Sequence, residues 1–360
     1  MMSLPHAFPA FLEHCKKSFA MIQPIERFIV LFCLATNIIL LPFLTNDFWT
    51  TVYILIIMYS MYVLITIIPI ALTHPRIGLL LRIFYVFCLA LYTCDLLGST
   101  AFDLTPFPPI DPWLKAFDNA EGFYTNHVLA YMHAHPSLNK FLWFIYHGLI
   151  YQFGICLLIL GLMGESERFY RFIVQLLICS YIGIGFAFFF PSIDPAYSYN
   201  HLYFQSAQTY KAALFEQLHH LIPNIDLVAD KKVPIGTVDF PSFHVIFTVL
   251  LTYTLRPWKA LFLPACLYSF LIMISTLTTG WHYFADVLGG FTLACLSIAI
   301  TYYLFKYFNI RAPKMPWTNP KALRQFNAFS LRHKIDKIIL DIGLVMVILG
   351  ILVIAVHIVL

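Results

Sequence analysis

Long apolar segments constrain this chain more than any other feature of its sequence. Each segment is close in length to a helix that crosses the hydrocarbon layer of a membrane, which has about 20 residues. Only 11% of the residues are charged and 60% are hydrophobic, whereas a soluble globular chain carries about 25% charged residues. The sequence therefore predicts an all-α, polytopic integral membrane helical bundle. The nine predicted spans are residues 27–45, 48–72, 77–97, 141–163, 169–190, 242–258, 260–280, 282–305 and 337–359.

The charges and cysteines exclude two classes of protein. A net charge of +4 over 360 residues is too sparse to neutralise a phosphate backbone, so we expect no nucleic-acid partner. The eight cysteines lie in apolar spans or in the amino-terminal arm, unlike those of a secreted disulfide scaffold or a close-spaced zinc site. No cleavable signal pattern precedes the first span, which we interpret as a retained anchor.

Positive charges are distributed unevenly between the two sides of the predicted bundle. Nine spans place alternate loops on opposite faces, and 17 of the 22 Lys and Arg residues fall on one face. Because cytoplasmic loops carry the excess of Lys and Arg, we predict a cytoplasmic amino terminus. The opposite, external face is periplasmic or luminal and holds 12 of the 18 acidic residues. The basic loop 306–337 is interpreted as a topological anchor, with acidic-lipid binding as the alternative.

Two predicted external loops, 98–140 and 191–241, are long enough to be functional. The first contains prolines followed by apolar residues at loosely helical spacing, among them Trp113 and Phe117. This pattern indicates an amphipathic segment lying along the membrane surface. We expect three regions: extra spans in 1–97, a catalytic membrane domain in 98–306, and a basic loop with a final span in 307–360.

Two motifs place ionisable residues at the external ends of predicted spans. Pro241-Ser242-Phe243-His244 opens the sixth span, and residues 280–286, which contain His282 and Asp286, open the eighth. An ionisable group inside a membrane is costly and marks a candidate functional site. His282 and Asp286 are four residues apart, which places them on one helix face. Since the seventh span returns the chain, both histidines are predicted at one depth near the external face.

These three side chains suit phosphoryl chemistry. A carboxylate beside an imidazole fixes its tautomer and stabilises its cation, leaving the second nitrogen to attack phosphorus or move a proton. A second histidine can protonate the leaving oxygen, and helix N-termini at 242 and 282 would attract a phosphate. Spacing alone does not assign which histidine attacks. The alternatives are capping or interfacial histidines and a His–His–Asp metal site, which would not require the Pro–Ser helix start.

The same residues resemble the type 2 phosphatidic acid phosphatase superfamily. Residues 241–244 match its second motif, P-S-x-H. Ser275, His282 and Asp286 match its third, S-R-x-x-x-x-x-H-x-x-x-D, with Thr276 in place of Arg. The first motif, a Lys followed by Arg-Pro, would fall near residues 188–195, which contain no cation.

A narrower resemblance is to the inositol phosphotransferase branch, which includes inositol phosphorylceramide synthase. This resemblance rests on four stretches: F-P-S-x-H, H-Y-x-x-D-x-x-x-G, and the external segments Asp111-Pro112-Trp113-Leu114 and Ala116-Phe117-Asp118. The resemblance covers about residues 100–305 and implies a six-helix core. It also implies that His282 forms a phosphohistidine, that Asp286 orients it and that His244 protonates the leaving alcohol, with no cofactor or metal.

The missing motif cations leave open what balances the phosphate charge. Among the few external cations, Lys231 and Lys232 are the preferred candidates, followed by Lys211, with a solvated-loop role as the alternative. The Ser242 hydroxyl would add a hydrogen bond or act as a helix cap. His147 is interpreted as a packed histidine bonded to a neighbouring carbonyl, with the catalytic cavity as the alternative.

We therefore expect a membrane-embedded phosphotransferase that takes a group from a membrane lipid and holds it on a histidine. The alternatives are a lipid phosphate or diphosphate phosphatase, in which water is the acceptor, and an inactive lipid-binding or transport relative. The missing cations favour the transferase. The sequence indicates no oligomeric state and no identity for the acceptor.

Overall fold

The computed structural model describes residues 23–44, 48–67, 75–192, 195 and 240–310. Those residues form helices and their connections, with no strand among them, so the all-α prediction is confirmed for this part of the chain. The helices are α1 (Pro24–Leu40), α2 (Phe48–Ile67), α3 (Pro75–Leu104), α4 (Asp111–Ala120), α5 (Thr125–Ala134), α6 (Pro136–His147), α7 (Leu149–Met163), α8 (Ser166–Phe189), α9 (Phe243–Leu255), α10 (Lys259–Thr278) and α11 (Phe284–Tyr307).

Seven stretches of the described chain are long and apolar enough to cross a membrane, as a multi-pass membrane protein requires. One of them, Pro136–Met163, combines α6 and α7 on either side of Gly148. The eighth apolar helix, α9, is shorter. Each of the first eight predicted spans falls on one of these stretches or on α9. The ninth, 337–359, lies outside the described residues, so the count of nine and the six-helix core stay predictions.

Helix α9 lies at the centre of the bundle, packed against α7, α8, α10 and α11. Its 13 residues span about 20 Å, less than the hydrocarbon layer of about 30 Å. The predicted span of 242–258 was too long because Pro257 follows Arg256 and a proline disfavours helix at the preceding residue. The short helix therefore starts inside the bundle, with the sequence Pro241-Ser242 leading into it.

The predicted external loop 98–140 is largely helical. Helix α3 continues to Leu104, and α4 and α5 precede α6. The predicted amphipathic segment corresponds to α4, which exposes Trp113 and Phe117 and buries Asp111 and Asp118. Its carboxylates therefore face the protein and its aromatic side chains face outward. The two acids contact the start of α11, which makes α4 part of the site described below.

Candidate functional site

The His282 and Asp286 side chains are both buried and lie in contact. Nδ1 of His282 is 3.3 Å from Oδ2 of Asp286, and the backbone N–H of Tyr283 donates to the same oxygen at 2.8 Å. The predicted contact is confirmed, but the predicted helical face is wrong because α11 begins only at Phe284. Asp286 is the third residue of the helix and reaches back in a capping box, which brings it to the turn holding His282.

The amides at the start of α11 are occupied by carboxylates. Besides the Tyr283 amide on Asp286, the N–H groups of Phe284 and Ala285 donate to the Asp118 carboxylate at 2.8 and 3.0 Å. Burial raises the pKa of Asp118, and these two hydrogen bonds act in the opposite direction. The prediction that this helix start presents its amides to a phosphate is therefore wrong. Protein carboxylates satisfy them instead.

Ser242 precedes the first residue of α9, but its hydroxyl makes no capping hydrogen bond. The hydroxyl oxygen lies 3.3 Å from Nε2 of His282, so the cap alternative is wrong for the side chain. The backbone N–H of Ser242 donates to the carbonyl of Asp286 at 3.1 Å. Backbone and side chain thus join the two motifs in a Ser–His–Asp series of contacts.

His244 is the second residue of α9 and lies beside His282. The two ring centroids are 6.0 Å apart, so the structure brings together His282, Asp286, His244 and Ser242 as predicted. Tyr146, from the last turn of α6, stacks on His244 with centroids 4.1 Å apart and planes 19° apart. Its hydroxyl lies 3.3 Å from Nδ1 of His244.

Sequence reasoning missed Tyr146, and it treated Asp118 only as part of a resemblance. No local pattern singles out one tyrosine among 21 that is 98 residues from its partner. A signal for α4 was present, because Asp111, Leu114 and Asp118 share one helix face at spacings of three and four. Asp111 accepts a hydrogen bond from the Tyr283 hydroxyl at 3.1 Å, which gives α4 a second polar contact with the site.

The positions of the missing motif cations have other roles in this chain. The buried Thr276 hydroxyl donates to the Met273 carbonyl of its own helix at 2.7 Å, so residue 276 brings no charge to the site. Two residues before the stretch 188–195, where the first motif would fall, the Phe186 ring of α8 lies 5.2 Å from Phe240. Lys211, Lys231 and Lys232 lie outside the described residues, so their substrate-binding role stays a prediction.

Two further predictions concern His147 and a metal site. Nδ1 of His147 lies 2.9 Å from the Trp143 carbonyl oxygen, as predicted, but the side chain is exposed rather than packed. Among the described residues, no group of three or more His, Cys, Asp or Glu side chains is arranged to hold a metal ion. The alternative of a His–His–Asp metal site therefore has no geometric support in this part of the chain.

Comparison with known proteins identifies a family by the same region. A family model described as the PAP2 superfamily matches residues 112–300, which is more than half of the 360-residue chain. This range contains Tyr146, both histidine motifs and all of α4 except Asp111. No curated protein and no solved structure matches the chain.

Proposed function

Because the chain belongs to the PAP2 superfamily, whose members are generally phosphatases or phosphotransferases, we propose that it is a membrane-embedded lipid phosphotransferase. It takes a substituted phosphoryl group from a phospholipid donor, holds it on His282 and transfers it to an acceptor hydroxyl. Neither a metal nor another cofactor takes part. The observation that carries the proposal is a pair of imidazoles 6.0 Å apart, a half-buried His244 and a buried His282 that contacts a carboxylate.

The different partners of the two histidines suggest their roles. Asp286 accepts from Nδ1 of His282, so Nε2 carries the lone pair that attacks phosphorus, and the carboxylate stabilises the positive charge that develops on the ring. As the new P–N bond forms, the P–O bond to the leaving alcohol breaks and His244 gives that oxygen a proton. In the second step His244 takes the proton of the acceptor hydroxyl, whose oxygen attacks phosphorus and releases His282.

The substituted cation positions favour a donor that carries little charge. Phosphoryl transfer depends on electrostatic stabilisation of the phosphate oxygens. A phosphate monoester carries about −1.5 to −2 charge at pH 7, whereas a phosphodiester carries a single negative charge. The first-turn amides of α9, which have no acceptor within the helix, together with the Ser242 hydroxyl and the predicted Lys231 and Lys232, suit the diester better. This argument favours an inositol-phosphotransferase-like reaction over a monoester phosphatase.

The surroundings of the site suit a lipid. Phe186, Phe189 and Phe190 are exposed at the end of α8, and Phe186 contacts Phe240 next to the Pro241-Ser242 motif. Acyl chains can lie against this apolar surface while the head group reaches the histidines. Such an arrangement places the reacting phosphorus at the edge of the lipid layer.

Product analysis tests the proposed reaction. Purified protein is incubated with a panel of phospholipids, lipid phosphates and candidate acceptor alcohols, and the products are identified by mass spectrometry. We expect a new head-group lipid that requires the acceptor, and we expect its loss in His282→Ala and Asp286→Asn. The control is His135→Ala, since His135 is exposed and its Nδ1 lies 2.8 Å from a carbonyl of its own segment.

The outcomes separate the alternatives. Free phosphate and a dephosphorylated lipid, formed without an acceptor and lost in His282→Ala, would make the protein a phosphatase. No product from any substrate, with lipid still bound, would indicate the inactive relative. An acid-labile covalent adduct that is absent in His282→Ala would support the phosphohistidine, whereas an acid-stable adduct would point to Ser242, given that Ser–His–Asp contacts also activate serine nucleophiles.

A further inference from the structure

The two catalytic histidines have partners of different charge. The partner of His282 is a carboxylate, whereas the partner of His244 is the neutral phenol of Tyr146, 3.3 Å from Nδ1. A carboxylate favours the cationic ring that a nucleophile becomes. A phenol fixes the orientation of the ring without adding a negative charge, so the proton of His244 remains transferable.

Tyr146 is held in place independently of His244. The backbone carbonyl of its neighbour Ile145 accepts a hydrogen bond from the Tyr268 hydroxyl of α10 at 3.2 Å. That hydroxyl lies against Gly148, where an added Cβ would be 1.9 Å from it. The end of α6 is thereby joined to α10, and Tyr146 is only 9% exposed. The stacking surface for His244 is therefore preorganised.

We propose that Tyr146 is the positioning residue of His244, an inference that rests on the proposed function. Stacking fixes the plane of the imidazole, and the hydrogen bond engages Nδ1, which leaves Nε2 to serve the reacting oxygen. A tyrosine hydroxyl both donates and accepts. Here it accepts from Nδ1–H in both protonation states of His244, so that Nε2 gives up its proton in the first step and takes one in the second. One residue thus supports the histidine as acid in the first step and as base in the second.

The dependence of rate on the leaving group tests this role. Two donors are compared: a phospholipid whose leaving group is an alcohol, and a nitrophenyl ester of the same lipid phosphate, whose leaving group needs no proton. Tyr146→Phe keeps the ring and loses the hydroxyl. We expect single-turnover release of the alcohol to slow about 10-fold and release of nitrophenol to change less than about 2-fold. His244→Ala should show the same selectivity with a loss of about 10²- to 10⁴-fold.

Tyr151→Phe is the matched control because it removes the hydroxyl of a 61% exposed tyrosine of α7 that takes no part in holding Tyr146 or His244. We expect its ratio of alcohol to nitrophenol release to equal that of the wild type. Tyr146→Leu, which also loses the ring, serves as a second variant and should show a larger selective loss. Equal slowing of both donors in every folded Tyr146 variant would overturn the positioning role, whereas a wild-type protein inactive on both donors would overturn the proposed function itself.

Discussion

Gly290 allows the two halves of the site to touch through their backbones. A Cβ at this position would lie 2.5 Å from the carbonyl oxygen of Ser242 and 3.2 Å from Val245. The N–H of the same serine donates to the carbonyl of Asp286, so the backbones of α9 and α11 meet at one point. The glycine of the H-Y-x-x-D-x-x-x-G pattern therefore has a packing role, which sets the distance between Ser242 and His282.

Gly290→Ala is expected to lower turnover by about 100-fold, because a displacement near 1 Å at reacting groups costs about that much. The backbone atom that the new methyl group meets cannot turn aside as a side chain would. Gly185→Ala is the control, since an added Cβ there has no heavy atom within 4 Å and alanine favours the helix. Turnover is measured beside thermal unfolding in detergent, and equal activity of the two variants would contradict the packing role.

At the residue scale, sequence spacing predicted contacts within a motif better than contacts between distant segments. His282 and Asp286 touch as their separation of four indicated, although the capping box and not a helix face brings them together. The contact of Ser242 with His282 required the packing of α9 against α11. The Tyr146 contact required α6 as well, and no periodicity in the sequence encodes such a pairing.

Helix α4 holds the turn that carries His282. It places Asp118 on the amides of Phe284 and Ala285 and Asp111 on the Tyr283 hydroxyl. Leu114 adds an apolar contact within the small cluster that also contains Tyr283 and Ala285. The turn that carries His282 is therefore fixed from the side of the first loop as well as by its own helix.

Asp118→Ala is expected to destabilise the fold by about 0.5–2 kcal/mol, as loss of a helix-capping side chain does. Turnover should fall too, because the turn between Gly280 and Phe284 loses its external support. Asp118→Asn keeps an acceptor oxygen for one amide and should give an intermediate effect. Glu121→Ala removes an exposed acid from the end of the same helix and is the control. Equal thermal stability and activity for Asp118→Ala and Glu121→Ala would show that Asp118 does not support the turn that carries His282.

At the element scale, long apolar runs were predictable because the length and composition of each suffice to identify it. The short helices were not, since α4 and α5 have ten residues each and lie between prolines and polar residues that also suit a loop. The end of α9 was not predicted either. It is set by Pro257, whereas the span was predicted from the hydropathy of the surrounding residues, which extends beyond the end of the helix.

A buried ion pair joins the amino-terminal helices to the rest of the molecule. Glu26 of α1 is fully buried and accepts from Arg82 of α3 at 2.9 Å and from Tyr62 of α2 at 2.8 Å. Tyr170 of α8 donates to the same carboxylate. Hydropathy cannot predict this contact, because it joins Glu26 to side chains of three other helices that are 36 to 144 residues away. Separating the partners of a buried ion pair is costly because it leaves a charge unpaired, so this contact holds α1 to α3 against α8.

The orientation of the whole bundle in the membrane is predicted from the positions of its cations, and labelling experiments can test it. His244 lies at the start of α9, and Lys259, the first residue of α10, follows the opposite end of that helix. Glu121 follows α4, on the same side as His244. By the positive-inside rule we predict that the Lys259 end is cytoplasmic. In a variant whose eight native cysteines are replaced by alanine, and which keeps activity, an impermeant maleimide should label Glu121→Cys from the external side of sealed vesicles. It should label Lys259→Cys only after permeabilisation.

The reverse labelling pattern would overturn the orientation and place the histidines at the cytoplasmic face. The pair of positions is informative because α9, which separates them, is about 20 Å long, so one reagent cannot reach both from one side of an intact membrane. The outcome also decides which leaflet supplies the donor. An external site draws on lipid of the outer or luminal leaflet, and its acceptor must then reach that side of the membrane.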